Sequence, residues 1–225
     1  MHDFPMLDLG DLDITSLVGP PNAGKSTLTR GLPAELQRTI IGLGDIFRAA
    51  IAAETELGRK VKPYVDGGLL VPDELAIACL TEALGNRIAN GETQIFLDGV
   101  PRTIEQAQSM KSLGITIARL IEITVPDSVA ETRALNRRGC PKCKRTYALT
   151  GRYSPVVSGI CDDCHVELVI RKDDAAIGQR LSVYHEQTQP LLGHMTANGV
   201  PVFTVDNSGD PADSLAAFIE ALTTK

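Results

Sequence analysis

Residues 19–26 read Gly-Pro-Pro-Asn-Ala-Gly-Lys-Ser, a complete G-x-x-x-x-G-K-[ST] pattern, and no other feature constrains the chain as much. Before it, Ile14, Ser16, Leu17 and Val18 make a short run of buried-strand type; after it, Ser26–Gly31 is compatible with a helix. Strand, glycine loop, helix is the setting in which this pattern has physical meaning. Successive backbone N–H groups and the positive end of the following helix can cradle β- and γ-phosphates. Lys25 can bridge those phosphates, Ser26 can reach Mg²⁺, and Gly24 lets the backbone come close to a ligand. A glycine turn beside a solvated lysine is the alternative that the flanking elements argue against.

The remaining pattern extends this start into an α/β fold. Thr93–Leu97, Ala118–Val125 and Val200–Val205 are β-branched apolar runs, with helical stretches such as Asp73–Asn90 and Ser128–Arg138 between them. Alternating strands and helices predict a central parallel sheet with helices on both faces, the three-layer P-loop architecture. Asp98 ends the run Ile95-Phe96-Leu97 and so stands at the carboxyl edge of the sheet, where such folds bind their ligands. It is the expected Mg²⁺-side carboxylate; a turn residue ahead of Gly99 and Pro101 is the plainer alternative. Two stretches break the rhythm and are candidate insertions: Gly42–Val71, with short helices around Gly58 and Gly67-Gly68, and Arg138–Asp174, rich in Cys, Gly, Pro and Thr.

At 225 residues, one α/β domain with insertions and two small domains are both open. Charge narrows the partners. With 22 Lys and Arg against 28 Asp and Glu, the net charge of −6 argues against a nucleic-acid backbone, and 4% aromatics with no Trp argue against single-strand stacking. A small anion fits better. No apolar run approaches the ~18 residues a membrane helix needs. The first basic residue is Lys25, so Met1–Asp13 lacks the basic start of a secretory signal and is expected to be a surface tail of a cytoplasmic protein.

Four of the five cysteines form two C-x-x-C pairs, Cys140/Cys143 and Cys161/Cys164, 17 residues apart. That spacing matches a tetrahedral four-thiolate zinc site with no open position, hence structural and not catalytic. Redox-active thiols are disfavoured because neither pair sits at a strand-to-helix junction. Cys79 is expected in the core, and His165 is surplus as a ligand.

Further motifs follow in order: Gly44-Asp45-Ile46-Phe47-Arg48, Asp98-Gly99-Val100-Pro101-Arg102-Thr103, Pro126-Asp127 to Arg137-Arg138, Arg171-Lys172-Asp173-Asp174, and Tyr184-His185 to Gln189-Pro190-Leu191. With these, the chain from about Ile14 onward closely resembles the adenylate kinase family in its zinc-containing, long-lid form. The resemblance implies a core of residues 1–41, 72–135 and 175–225, a monophosphate-binding insert at 42–71 and a lid at 136–174. It implies a monomer that moves phosphate from Mg²⁺-bound ATP to AMP, giving two ADP. Donor binding would fall to Pro21, Asn22, Ala23, Gly24, Lys25, Ser26 and Thr27, with Arg137, Thr146, Tyr147 and Gly209. Acceptor binding would fall to Leu43, Arg48, Leu69, Leu70, Val71, Gly99, Val100, Pro101, Arg102, Gln106, Arg171 and Arg180.

Within those sets the resemblance gives some residues particular tasks. Arg48 and Arg102 would grip the acceptor's α-phosphate, and Gln106 would hydrogen-bond its adenine. Arg133 and Arg137, read as i and i+4 on one helix face, would join Lys25, Arg171 and Arg180 around the transferring group. Tyr147 would lie near the donor base or simply pack in the lid. Four features depart from the family pattern. Asn22 stands where glycine is usual, which calls for a left-handed conformation that Asn tolerates. Leu43 replaces a threonine beside the acceptor base, Val100 replaces a phenylalanine, and Arg171 to Arg180 is two residues shorter. Rival functions are a kinase for UMP, CMP or GMP, a regulatory nucleotide switch, which lacks here the Asn-Lys-x-Asp guanine motif, and a zinc-ribbon nucleic-acid binder.

Overall fold

A computed structural model of the protein describes residues 12–224, without the side chains of Lys172 and Asp173. The expected surface tail lies outside the described residues except for its last two positions. The strands are β1 (Asp13–Val18), β2 (Thr39–Gly42), β3 (Gln94–Asp98), β4 (Arg119–Thr124), β5 (Arg137–Gly139), β6 (Thr146–Ala148) and β7 (Val202–Asp206). The helices are α1 (Lys25–Gly31), α2 (Leu43–Ala52), α3 (Glu56–Asp66), α4 (Asp73–Ala89) and α5 (Ile104–Ser112), followed by α6 (Asp127–Asn136), α7 (Ile177–Val183), α8 (Gln189–Ala197) and α9 (Pro211–Thr223).

Five strands form one parallel sheet in the order β2-β3-β1-β4-β7. Its strands carry apolar residues on both faces because helices cover both. Ile14, Val18, Ile95, Leu97 and Leu120 face one cluster, which holds Leu80 and Leu84 of α4, Met110 of α5 and Leu191 of α8. Leu17, Phe96, Ile121, Ile123 and Val205 face the other, with Leu28 of α1, Leu181 of α7 and Phe218 and Leu222 of α9. The Phe96 and Phe218 rings lie 6.2 Å apart. Full burial of one such side chain contributes about 1.5–3 kcal/mol, so the two clusters fix the frame that carries the loops.

The strands at 94–98, 119–124 and 202–206 fall within two residues of their expected bounds. Strand β2 leaves little trace in the sequence pattern because it is four residues long and lies at the sheet edge, where Ile40 stays exposed. The helix expected through Arg138 stops at Asn136, and this overturns one inference. Arg137 has extended dihedrals (φ −75°, ψ 135°) and pairs with Ala148. Arg133 and Arg137 therefore do not share a helix face: cross-strand pairing of β5 with β6 outweighs the local helical pattern.

Residues 43–66 form the helix pair α2 and α3, which pack closely because Gly58 is buried where a Cβ would collide with the Ala50 carbonyl. Thr55 caps α3 by accepting from the Gly58 N–H at 3.0 Å. The cysteine segment folds on the antiparallel pair β5 and β6, around a small core of Cys140, Tyr147, Cys161 and Leu168.

Candidate active site

The phosphate loop joins β1 to α1 at the carboxyl edge of the sheet. Two residues make its turn through left-handed conformations, Asn22 at φ 61° and Gly24 at φ 95°. A side chain on Gly24 would collide with the Asn207 amide. The first turn of α1 contains no acidic residue, so the positive end of the helix is left for an anion.

The loop forms part of a cleft of 1590 Å³. All of the expected donor set, residues 21–27 with Arg137, Thr146, Tyr147 and Gly209, lines it. So do Leu43, Arg48, residues 69–71, Asp98, Gly99, Arg102, Gln106, Arg133, Arg171 and Arg180. Val100 and Pro101 do not line it. Val100 is buried in the core, and its carbonyl accepts from the Ser16 hydroxyl at 2.8 Å.

Lys25 shows what this cleft favours. Its ammonium donates to the Gly19 carbonyl at 3.2 Å and reaches the Pro20 carbonyl at 3.5 Å. Its pKa is lowered from 10.5 to about 8: burial is the main cause, Arg102, Arg180 and Arg137 push the same way, and Asp98 opposes them. Several positive charges held together out of water form a site that an anion completes. Arg137 makes a two-bond ion pair with buried Asp174, and Arg180 lies 3.6 Å from the same carboxylate. Arg48 pairs with Asp45 at 2.6 Å, and Arg102 Nε donates to the Gly99 carbonyl at 2.6 Å.

Arg133 sits differently. It lines the cleft and donates to the carbonyls of Asn22 (3.4 Å), Ala23 (3.3 Å) and Asn207 (2.6 Å), so it also braces the loop. Asn207 itself donates to the Ala23 carbonyl at 2.6 Å. The side-chain oxygen and nitrogen of Asn22 are both buried with no hydrogen-bond partner among the described residues. An orphaned buried amide costs about 1–3 kcal/mol, a cost that a polar ligand would remove.

On the acceptor side, Thr103 caps α5 by accepting from the Gln106 N–H at 3.0 Å. The Gln106 amide accepts from the Arg102 N–H at 2.7 Å and donates to Asp73 Oδ1 at 2.7 Å. Asp73 Oδ2 accepts from the Thr103 hydroxyl at 3.0 Å.

The sulfurs of Cys140, Cys143, Cys161 and Cys164 all lie within 4.8 Å of one another, and none is in a disulfide. A tetrahedral zinc with ~2.3 Å bonds needs sulfurs roughly 3.8 Å apart, so the four thiols fit the ion. Burial resists ionisation of Cys161, yet donation from the Tyr147 hydroxyl and from backbone N–H groups outweighs it and brings the thiol down to about 6.

A family model described as "Adenylate kinase" matches residues 17–200. The adenylate kinase of Lachnospira eligens is 41% identical over 214 residues, covering 92% of this chain and 98% of that protein. That of Clostridioides difficile is 38% identical over 203 residues, covering 87% and 91%. The chain belongs to the adenylate kinase family. It is a nucleoside monophosphate kinase, with the four-cysteine lid of the family's zinc-containing form.

Membership in the adenylate kinase family gives three unpredicted residues a context. Asn207 and Asp174 hold the loop and the arginines, and Asp73 holds Gln106. The carboxyl-edge rule points to Asn207, which directly follows β7. Asp174 closes the motif Arg171-Lys172-Asp173-Asp174, which does not name its partners, and nothing local marks Asp73. Tyr147 is buried; its hydroxyl accepts from the Asp162 N–H at 2.9 Å and meets Cys161 Sγ at 3.4 Å, so its polar end belongs to the knuckle. Among the described residues no helix is long and apolar enough to cross a membrane.

Proposed function

We propose that the protein transfers the terminal phosphoryl group of ATP to AMP, reversibly, giving two ADP. The observation that carries this reading is the meeting, in one cleft, of the phosphate loop, Lys25 and the arginines Arg102, Arg137 and Arg180, whose charges Lys25 feels. Transfer between two nucleotides spreads charge over equatorial oxygens and needs no covalent nucleophile, so positioned cations supply most of the catalysis. Residues 21–27 would hold the donor phosphates, with Lys25 across the transferring group. Arg48 and Arg102 would hold the acceptor's α-phosphate, and Arg137, Arg171 and Arg180 would close around the oxygens between them. Asp174 keeps Arg137 and Arg180 together until a phosphate replaces part of that contact.

Two metal roles fit the side chains present. The Ser26 hydroxyl and Asp98 carboxylate are oxygen donors of the type Mg²⁺ takes; the ion would arrive with ATP and neutralise its phosphates. The four thiolates would hold a structural zinc. The same reading takes the protein as a cytoplasmic monomer with no nucleic-acid partner.

Leu43 supports a second acceptor choice. It is buried and offers no hydroxyl to a base, which would suit a nucleotide other than AMP. One neutral hydrogen bond contributes about 0.5–1.5 kcal/mol, too little to reverse specificity against Gln106. The test is kcat/KM for AMP, UMP, CMP and GMP with ATP as donor. AMP is expected to lead, and a different leading acceptor would replace this reading with the second.

A further inference from the structure

Gln106, a candidate base-reading side chain, has its orientation fixed by groups that cannot themselves change role. Its amide has two partners among the described residues, and they constrain it independently. Asp73 Oδ1, 2.7 Å away, is a carboxylate oxygen that only accepts, so the nitrogen of the amide must face it. The Arg102 backbone N–H, 2.7 Å away, only donates, so the oxygen must face that side. Asp73 is in turn held by the Thr103 hydroxyl at 3.0 Å.

After these bonds the amide keeps one N–H and one carbonyl lone pair unspent, on a residue that lines the cleft. A donor and an acceptor side by side, in fixed order, complement a base edge that presents an acceptor ring nitrogen and an amino group. Adenine offers that edge. The 6-keto purines offer the reverse, a ring N–H and a carbonyl, and would need the amide turned over. Turning it would set the Gln106 oxygen against the Asp73 carboxylate and the Gln106 nitrogen against the Arg102 N–H. Both neighbours thus penalise the wrong order, and the charged one more strongly. Leu43, beside the same base in this reading, supplies no polar group, which leaves the edge to Gln106.

We propose that Asp73 is a specificity-determining positioning residue: by locking the Gln106 amide it selects 6-amino over 6-keto purine monophosphates as acceptors. The proposal rests on the reading of Gln106 as the acceptor-base contact. It predicts nothing about adenine against cytosine, which share the amino pattern and differ in size.

The test compares AMP with inosine monophosphate, which differ at this edge alone, using ATP as donor. For the native protein AMP is expected to be strongly preferred. Asp73→Ala removes the charged lock and should raise the IMP/AMP ratio of kcat/KM about tenfold, mostly through KM. Asp73→Asn keeps an oxygen that can accept from Gln106 but can also turn its NH2 toward it, so the ratio should rise, and by less than in Asp73→Ala. Both variants remove the negative charge at the start of α4, so a merely structural role would lower stability in both and leave the ratio unmoved in both. Asp73→Ser, which keeps a polar oxygen on a side chain too short to reach Gln106, provides the same reading should Asp73→Ala fold poorly. A parallel fall for AMP and IMP in the Ala and Ser variants would overturn the role of Asp73 while leaving the AMP reading intact. A native protein that uses IMP as well as AMP would overturn the reading beneath it.

Discussion

Around the phosphate loop, the groups that would meet a nucleotide stand on five parallel strands buried on both faces, whereas the lid holds its share on a two-stranded hairpin with four buried residues beneath it. The core keeps Lys25 at a depressed pKa because burial takes its ammonium out of water and Arg102, Arg180 and Arg137 add to the effect, with Asp98 opposing them. The lid has no such reserve. Val156 is 89% exposed and Val157 60%, and two of the four buried residues at its centre, Cys140 and Cys161, are cysteines of the four-thiol cluster. A segment of this size buries little surface of its own, and bonds from the four cysteines to a metal would take the place of that burial. Position is achieved by packing in the core and would be achieved by coordination in the lid.

The sharpest break of that comparison is at Lys25. Lys25→Met should lower kcat at least about a hundredfold, because a charge placed on the transferring group is lost. The melting temperature should stay level or rise slightly, because the charged lysine is held at a cost in the free protein. Near-native transfer by this variant would show that the cleft does not work through the loop. In the lid the balance should reverse. Cys161→Ser, or removal of zinc by a chelator, should lower the melting temperature on the order of 5–10 °C while costing less than about tenfold in activity at moderate temperature. Metal-free protein that melts at the native temperature would sink the coordination argument.

A pH profile sharpens the core side. The free protein's Lys25 is protonated below about pH 8 and loses its charge above it, so kcat/KM for the donor should fall as pH rises through about 8. Bound phosphates favour the charged form, so kcat should fall at higher pH than kcat/KM. In Lys25→Arg any remaining activity should lack that alkaline fall. Folding stability without nucleotide should move oppositely. The folded pKa lies below the unfolded 10.5, so the penalty for charging Lys25 is full below about pH 8 and is relieved as pH rises between the two values. The smallest effect is expected at Asn22. If its orphaned amide finds a partner on the donor, Asn22→Gly should raise the donor KM about two- to tenfold and leave the acceptor KM unchanged. An unchanged donor KM would reduce Asn22 to a turn residue.

What was legible in the sequence has a common physical character: chemistry set by residues close along the chain. The loop pattern with its flanking strand and helix, the left-handed Asn22, the Asp98 position at a strand end and the two cysteine pairs all depend on neighbours within a few positions. What only the tertiary structure decided depends on partners far apart in the chain. The edge strand β2 exists because β3 offers it hydrogen bonds, and Arg137 leaves the helix because β6 pairs with it. Arg133 turns to the loop carbonyls more than a hundred residues away, Asp174 joins Arg137 to Arg180, and Asp73 meets Gln106 across two helix starts. A carboxylate's place in a site is set by which cations and amides the fold brings to it, and no local pattern encodes that meeting.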